Sequence, residues 1–195
     1  MGITPCKEIQ MKITLKNIKV NLRFSQETTM FDADLYIDGV KVGYAENQGY
    51  GGNTNIRAIG SGETLKTNRE LIEKADDYCK TLPSENYEYE ERGKKKAFAI
   101  NCNLENFVDN LLSNYLEQKE KKRFQSKLAK DLEKFICISK TRNIDDCQDY
   151  QTIKFKSYVS LNQIFANSNL REKVLTHISQ RQKEGFFVLN SNLPI

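Results

Sequence analysis

Residues 31–44 read FDADLYIDGVKVGY, and this stretch decides how the first half of the chain folds. Phe31, Ala33, Leu35 and Ile37 alternate with Asp32, Asp34 and Tyr36. A period of two sends successive side chains to opposite faces of a strand, so one face is apolar and the other polar. Asp38-Gly39 follows, and both residue types tolerate the positive φ that a two-residue hairpin turn demands. Val40, Val42 and Tyr44 then alternate with Lys41 and Gly43, which predicts a second strand in that phase.

Upstream, Met11, Ile13 and Leu15 alternate, and Ile18, Val20, Leu22 and Phe24 alternate one residue out of step. A strand over residues 11–24 with a bulge or break near Asn17 accounts for the shift. Downstream, residues 47–55 read NQGYGGNTN, a loop by composition, and residues 56–59 form a short strand. A helix over residues 69–80, capped by Thr67 or Asn68, carries Leu71, Ile72, Ala75 and Tyr78 or Cys79 on one stripe. Ser61-Gly62-Glu63 reads as loop before it, and Leu82-Pro83 ends it. Residues 84–96, SENYEYEERGKKK, read as an exposed, mobile connection.

From Asn103, a candidate cap, apolar residues at helical spacing run from Leu104 to Leu116 and resume at Phe124, Leu128 and Leu132. This predicts two helices, or one bent helix, with a basic elbow between. Residues 135–139 read as a short buried strand and 152–159 as another. Residues 162–182 read as helix broken at Asn167-Ser168-Asn169, stopped by Gly185, with a last strand over 186–189. The order predicts an α+β fold: an antiparallel N-terminal β-sheet with a hairpin, packed by helices, then a smaller mixed C-terminal part. The division expected is 1–134 and 135–195, either as two parts or as one continuous domain.

The five cysteines, Cys6, Cys79, Cys102, Cys137 and Cys147, are odd in number and lack CxxC spacing, so reduced structural thiols are expected. The lone histidine, His177, has no cysteine near it, which argues against a zinc site. No apolar run approaches the roughly 18 residues of a membrane helix, and residues 1–10 do not look like a signal peptide, so a cytoplasmic location is expected. A net charge of +4 is too small by itself to argue for nucleic acid.

The glycine-rich loop is the leading candidate site. Backbone N–H groups of Gly49, Gly51 and Gly52 can form an anion-binding nest. Asn53 and Asn55 offer polar contacts, Tyr50 a stacking surface, and Arg57 a phosphate partner. The segment is neither a Walker pattern nor a GxGxxG opening a helix, and the alternative is a wide turn whose glycines serve positive φ. The basic elbow, with Lys119, Lys121, Lys122 and Arg123, is a second candidate, for nucleic acid, against the plain reading of a solvated helix face. Asp32 and Asp34 share a strand face but have no third ligand, and Asp145, Asp146 and Asp149 lack calcium-loop spacing, so no metal site is expected. No nucleophile–base pairing is apparent, so neither catalytic residues nor cofactor is expected.

The stretches LKNI at 15–18 and FSQETTMFDADLYIDGVKVGYAENQGYGG at 24–52 resemble a group of small bacteriophage-encoded proteins. The shared pattern is an F-S-x-E-T segment, an I-D-G hairpin and an N-x-G-x-G-G loop, with a weaker V-L-N-x-x-L-P at 188–194. Tyr50 stands where that pattern has a basic residue. The resemblance implies a viral accessory role without implying a mechanism. By analogy, the expected function is a phage counter-defence protein of the host bacterial cytoplasm. It would sequester a nucleotide-derived immune signal, of cyclic nucleotide or ADP-ribose type, without turnover and as a homo-oligomer. The alternatives are an inhibitor or adaptor that binds a host defence protein directly, and a nucleic-acid-binding accessory protein.

Overall fold

The structure, a computed structural model, describes residues 10–91, 93–154, 160–191 and 193. The chain divides into two compact units, Met1–Leu116 and Glu117–Ile195, and the architecture is α+β.

Unit one is built on a four-stranded antiparallel sheet in the order β1-β2-β3-β4. The strands are β1 (Ile13–Val20), β2 (Phe31–Ile37), β3 (Val40–Asn47) and β4 (Asn55–Ala58). Asp38 and Gly39 sit at φ of 47° and 85°, the left-handed pair that a tight hairpin turn needs. Phe31, Ala33, Leu35 and Ile37 are buried on one face of β2, as their alternation predicts.

Two irregularities set the phase of the flanking strands. In β1 the register shifts between Lys16 and Lys19, with Asn17 at φ 52°, at the expected break. The strand ends at Val20, and Leu22 and Phe24 are exposed, because residues 21–24 turn away where a longer strand was expected. In β3 the partner of Tyr36 is Lys41 and that of Leu35 is Gly43, which leaves Val42 as an extra residue. The phase predicted from Val40, Val42 and Tyr44 therefore reverses at this bulge. Gly43, Ala45 and Asn47 point inward, and Tyr44 lies 47% exposed on the outer face.

Helix α1 (Gly62–Lys80) starts well before the predicted residue 69, with Ser61 extended at its N-cap. Asn68, expected as a cap, is instead buried within the helix, where its Nδ2 donates to the Ile59 carbonyl at 2.8 Å. It tethers α1 to the chain leaving β4. Ala75 and Cys79 enter the unit-one core, with Leu71, Ile72 and Tyr78 packed beside them.

Within the expected connection over 84–96, residues 85–91 and 93–96 are not loose. They lie in a hairpin of β5 (Glu85–Glu91) and β6 (Lys94–Ile100), which turns at Gly93 with φ 74°. Glu91 faces Lys94 and Glu90 faces Lys95, and opposite charges in such positions add about 0.2–1 kcal/mol per pair. The alternation Tyr87-Glu88-Tyr89-Glu90 carried the strand signal beneath the charge.

Helix α2 (Leu104–Lys134) is unbroken through the expected elbow. Asn103 caps it as expected, its Oδ1 accepting from the Asn106 N–H at 2.8 Å. Asp76 of α1 accepts from the Leu104 N–H at 2.9 Å. Burial works to raise the Asp76 carboxyl, but this bond and Lys80 outweigh it and hold it below its usual value. Leu104, Val108 and Leu112 enter the unit-one core, whereas Leu128 belongs to a separate cluster with Cys137, Cys147 and Leu189. The boundary between units thus falls at the lapse in the apolar stripe, after Leu116, rather than after residue 134.

Unit two holds a three-stranded sheet in the order β8-β7-β9, with fully buried β7 (Ile136–Ser139) between β8 (Gln151–Ile153) and β9 (Phe187–Val188). The strand expected over 152–159 is described only as far as β8, and residues 155–159 lie outside the described residues. Helices α3 (Leu161–Ala166) and α4 (Ser168–Lys183) meet at Asn167, the predicted break. Asn167 ends α3 and caps α4, its side chain accepting from the Leu170 N–H at 3.1 Å. Gly185, at φ 86°, stops α4.

The bulge explains why residue 43 is glycine. A Cβ there would lie 2.3 Å from the Arg57 carbonyl oxygen and 3.3 Å from Ile72 Cδ1. Gly43→Ala is expected to destabilise the protein by about 2 kcal/mol or more in urea unfolding. Gly39→Ala, which meets only open space but has positive φ, should cost about 1 kcal/mol.

Candidate functional site

The reversed phase of β3 brings Asn47 to the inner side of the sheet, where it is 8% exposed. Its amide is fully engaged. Oδ1 accepts from the Gly49 N–H at 2.8 Å and from the Thr28 hydroxyl at 2.7 Å. Nδ2 donates to the Gly52 carbonyl at 2.9 Å and to Thr54 Oγ1 at 3.4 Å. Two acceptor and two donor sites are all that such an amide has. The Gly51 N–H donates to Thr28 Oγ1 at 3.3 Å. The Gly49 carbonyl accepts the N–H groups of Gln26, Glu27 and Thr28, at 2.9, 3.1 and 3.5 Å.

The F-S-x-E-T segment and the glycine-rich loop therefore fit together as one interlock. The glycines serve it directly. Gly49 and Gly51 sit at φ of 87° and 90°, and a Cβ would meet the Phe24 carbonyl at 2.8 Å from one and Glu27 Oε2 at 2.0 Å from the other. Two of the three N–H groups expected to cradle a phosphate are thus occupied within the chain. A phosphate there would have to displace Asn47 or Thr28. Tyr50 is 63% exposed at the tip, and Asn53 is exposed beside it.

Thr54 anchors the far end of the loop to α2. Its N–H donates to Glu105 Oε1 at 3.1 Å and its hydroxyl to Asp109 Oδ1 at 2.6 Å. Burial pushes the Asp109 carboxyl above its usual range, and the Thr54 hydroxyl offsets this only in part.

Asn55 and Arg57 lie apart from the glycines, in the outward row of β4. Arg57 Nη2 is 2.9 Å from Glu46 Oε1, and Asn55 Nδ2 donates to the same carboxylate at 3.4 Å. The rest of this outer face is also charge-matched. Lys41 meets Asp34 at 2.8 Å and Lys19 lies 3.9 Å from Asp32. The Lys41 ammonium first, then the Asn17 amide, holds the Asp34 carboxyl below its usual value. A shallow depression of about 730 Å³ on this face is lined by Asn17, Lys19, Asp32, Asp34, Tyr44 and Glu46, among others.

A second feature was not read from sequence. Between the free edge of β4 and helix α1 lies a groove of about 420 Å³, lined by Ile56, Arg57, Ala58, Arg69, Ile72 and Glu73. The Ile59 N–H donates to the Val42 carbonyl at 3.0 Å. In an antiparallel ladder such bonded pairs alternate. By the β3–β4 register, Tyr44–Arg57 and Glu46–Asn55 are then bonded pairs, and the amide groups of Ile56 and Ala58 point outward, into the groove. Among the described residues, none hydrogen-bonds to them. The signal in the sequence is Arg69, Ile72 and Glu73 sharing one helix face beside a terminal strand.

The other candidates are weaker. Lys119, Lys121, Lys122 and Arg123 are exposed on α2 and interspersed with Glu117 and Glu120, with Arg123 lying 3.9 Å from Glu120. At 100° per residue Lys121 projects away from the other three, so they form no single stripe. Lys94, Lys95 and Lys96 pair with the acidic strand of their own hairpin, and Arg92 lies outside the described residues. Cys79, Cys102, Cys137 and Cys147 form no disulfide among the described residues, and Cys6 lies outside them. Burial pushes Cys79 up to about 12 and Cys137 up to about 11, so both are protonated and unreactive near neutral pH. His177 is exposed on α4. Among the described residues, no group of three or more His, Cys, Asp or Glu side chains could hold a metal ion, and no helix is long and apolar enough to cross a membrane.

No family model, curated protein or solved structure matches this chain.

Asn47→Ala strands the buried donors and acceptors of the interlock. It is expected to cost about 2–3 kcal/mol in urea unfolding and to speed hydrogen exchange at Gly49 and Gly51. For Asp109 the folded pKa lies above its ordinary value of 3.8, so the ionised carboxylate opposes folding at neutral pH. That opposition fades as pH falls through the folded value and is gone below the unfolded one. Asp109→Asn should therefore be favoured over the native protein most strongly at pH 7. Melting temperatures of the two should converge as pH is lowered toward 4.

Proposed function

We propose that this chain is a binding protein, of the viral accessory kind that the resemblance implies, which engages a host defence protein directly in the bacterial cytoplasm. The observation that carries this reading is the open edge of β4, whose outward amides face a groove with an apolar floor of Ile56 and Ile72. An unpaired sheet edge is a template for strand addition by another chain. The glycine-rich loop supports the same choice, since its inward bonds leave few donors for a phosphate. In this reading the protein acts by stoichiometric binding, without turnover.

A second reading, capture of a nucleotide-derived signal, is favoured by the depression on the outer sheet face, whose volume of about 730 Å³ lies in the range of small-molecule sites. There Lys19 and Asn17 would meet phosphate or sugar and Tyr44 would stack on a base. The carboxylates of Asp32, Asp34 and Glu46 work against a polyanion at that position.

Two measurements separate these readings. Tagged protein expressed in the bacterial host is expected to co-purify through size exclusion with one host protein at fixed stoichiometry. Calorimetry against a panel of cyclic nucleotides and ADP-ribose derivatives should show no heat at micromolar protein. Micromolar nucleotide binding with no co-purifying protein would reverse the ranking.

A further inference from the structure

The two units differ in charge. Unit two carries 15 lysines and arginines against nine aspartates and glutamates, whereas unit one carries 15 against 17. Part of the excess is ordered on the second half of α2. At 100° per residue, Lys127, Lys130 and Lys134 fall within about 60° of one another. They face away from Leu128 and Leu132, which pack into the core. All three are exposed, and among the described residues no carboxylate pairs with them. Arg123 lies on the same side but 3.9 Å from Glu120, so the row is counted without it.

Beside this row lies a recess of about 510 Å³. One wall is α2, from which Phe124, Lys127 and Asp131 project at helical spacing. The other is β8 with its flanking residues, where Tyr150, Thr152 and Lys154 alternate toward the recess while Ile153 packs into the core. Phe124 and Tyr150 meet edge to face with ring centroids 5.5 Å apart, and Phe135 lines the recess as well. The Tyr150 hydroxyl donates to Asp131 Oδ2 at 2.7 Å, which fixes the ring and engages that carboxylate. Lys127 Nζ lies 5.9 Å from the Tyr150 ring centre, where the row meets the recess. Within the recess Lys127 and Lys154 balance Asp131 and Asp149, so it suits an uncharged aromatic group better than a phosphate.

We infer that this face of unit two binds a single-stranded nucleic acid, with phosphates along Lys127, Lys130 and Lys134 and one base in the recess among Phe124, Phe135 and Tyr150. The cations neutralise the backbone, and aromatic faces accept an unstacked base whatever its identity. A duplex keeps its bases stacked and has none to place there. Gln148 and Asp149 at the rim offer an amide and a carboxylate to the edge of the base. The row covers about 10 Å of helix axis, so few phosphates are engaged and the affinity is modest. This activity belongs to unit two and does not rest on the protein-binding reading, whose groove is in unit one.

The probes are fluorescein-labelled strands of twelve nucleotides: oligo(dT), oligo(U), an abasic strand with the same backbone, and a duplex of the same length. Anisotropy at low salt should show the native full chain binding oligo(dT) or oligo(U), with either one supporting the inference. The abasic strand and the duplex should bind at least tenfold more weakly. The logarithm of the affinity should fall with the logarithm of salt concentration at a slope of about −2, for three phosphates on a single strand. Lys130→Glu combined with Lys134→Glu lies on an exposed helix surface, and should weaken binding at least tenfold and flatten that slope. Phe124→Leu keeps an apolar side chain toward the core but removes a ring, and should weaken oligo(dT) about tenfold while leaving the abasic strand unchanged. The comparison of the four probes needs no variant, so it decides even if Phe124→Leu does not fold. Equal binding of the abasic strand would overturn the inference, because the face would then be a polyanion surface without a base site. A duplex bound as tightly as the single strand would overturn it too, as would a double variant with undiminished affinity. So would failure to bind any strand at low salt while vesicles of phosphatidylserine are bound.

Discussion

The extra residue in β3 at Val42–Gly43 governs unit one. The turn at Asp38-Gly39 starts β3 in one phase, and the bulge reverses it within three residues of the turn. A one-residue slip moves every later side chain to the other face. Here that slip sends Tyr44 outward and Asn47 inward. Without it, the amide that organises the glycine-rich loop would face away from Thr28 and Thr54. The bulge requires glycine at 43 because β4 and α1 both approach the backbone there.

Once Asn47 is buried, it must find partners, since an unsatisfied buried amide costs several times what its bonds return. The loop provides them. Gly49, Gly52, Thr28 and Thr54 each contribute one, and Thr54 passes the linkage on to Asp109. The network makes the most motif-like part of the chain a structural element. The same glycines that look suited to a phosphate nest are needed because positive φ and close backbone approach build the interlock. Their identity is equally consistent with either use, and the Asn47 and Thr28 side chains occupy two of the three N–H groups within the chain.

Helix α2 shows a related economy. Its first half completes the unit-one core through Leu104, Val108 and Leu112, and its second half contributes Leu128 to a different cluster. The lapse from Glu117 to Lys122 marks the change of core, not an end of the helix. A polar stretch within a helix costs little when its residues have good helix propensity, as Glu, Gln and Lys do. An apolar lapse is thus a poor signal for a helix end when no glycine, proline or cap residue accompanies it.

The sequence by itself determined the local features with strong chemical requirements. The Asp38-Gly39 turn, the apolar face of β2, the break at Asn17, the Asn103 cap, the buried β7, and the stops at Asn167 and Gly185 all follow from backbone tolerance, periodicity or capping chemistry. Charge concealed the β5–β6 hairpin, because the run of Glu and Lys masked an alternation with Tyr, and the charges become stabilising only in the cross-strand register that the turn at Gly93 sets. The start of α1 was missed because Asn68 has the chemistry of a cap but is used as a tether to Ile59. Only the tertiary structure decided whether the glycine-rich loop offers its N–H groups outward or spends them inward, and which sheet edge is left open. The first depends on a one-residue shift in strand register, at a glycine that β4 and α1 both approach closely, and the second on the order in which the strands pair.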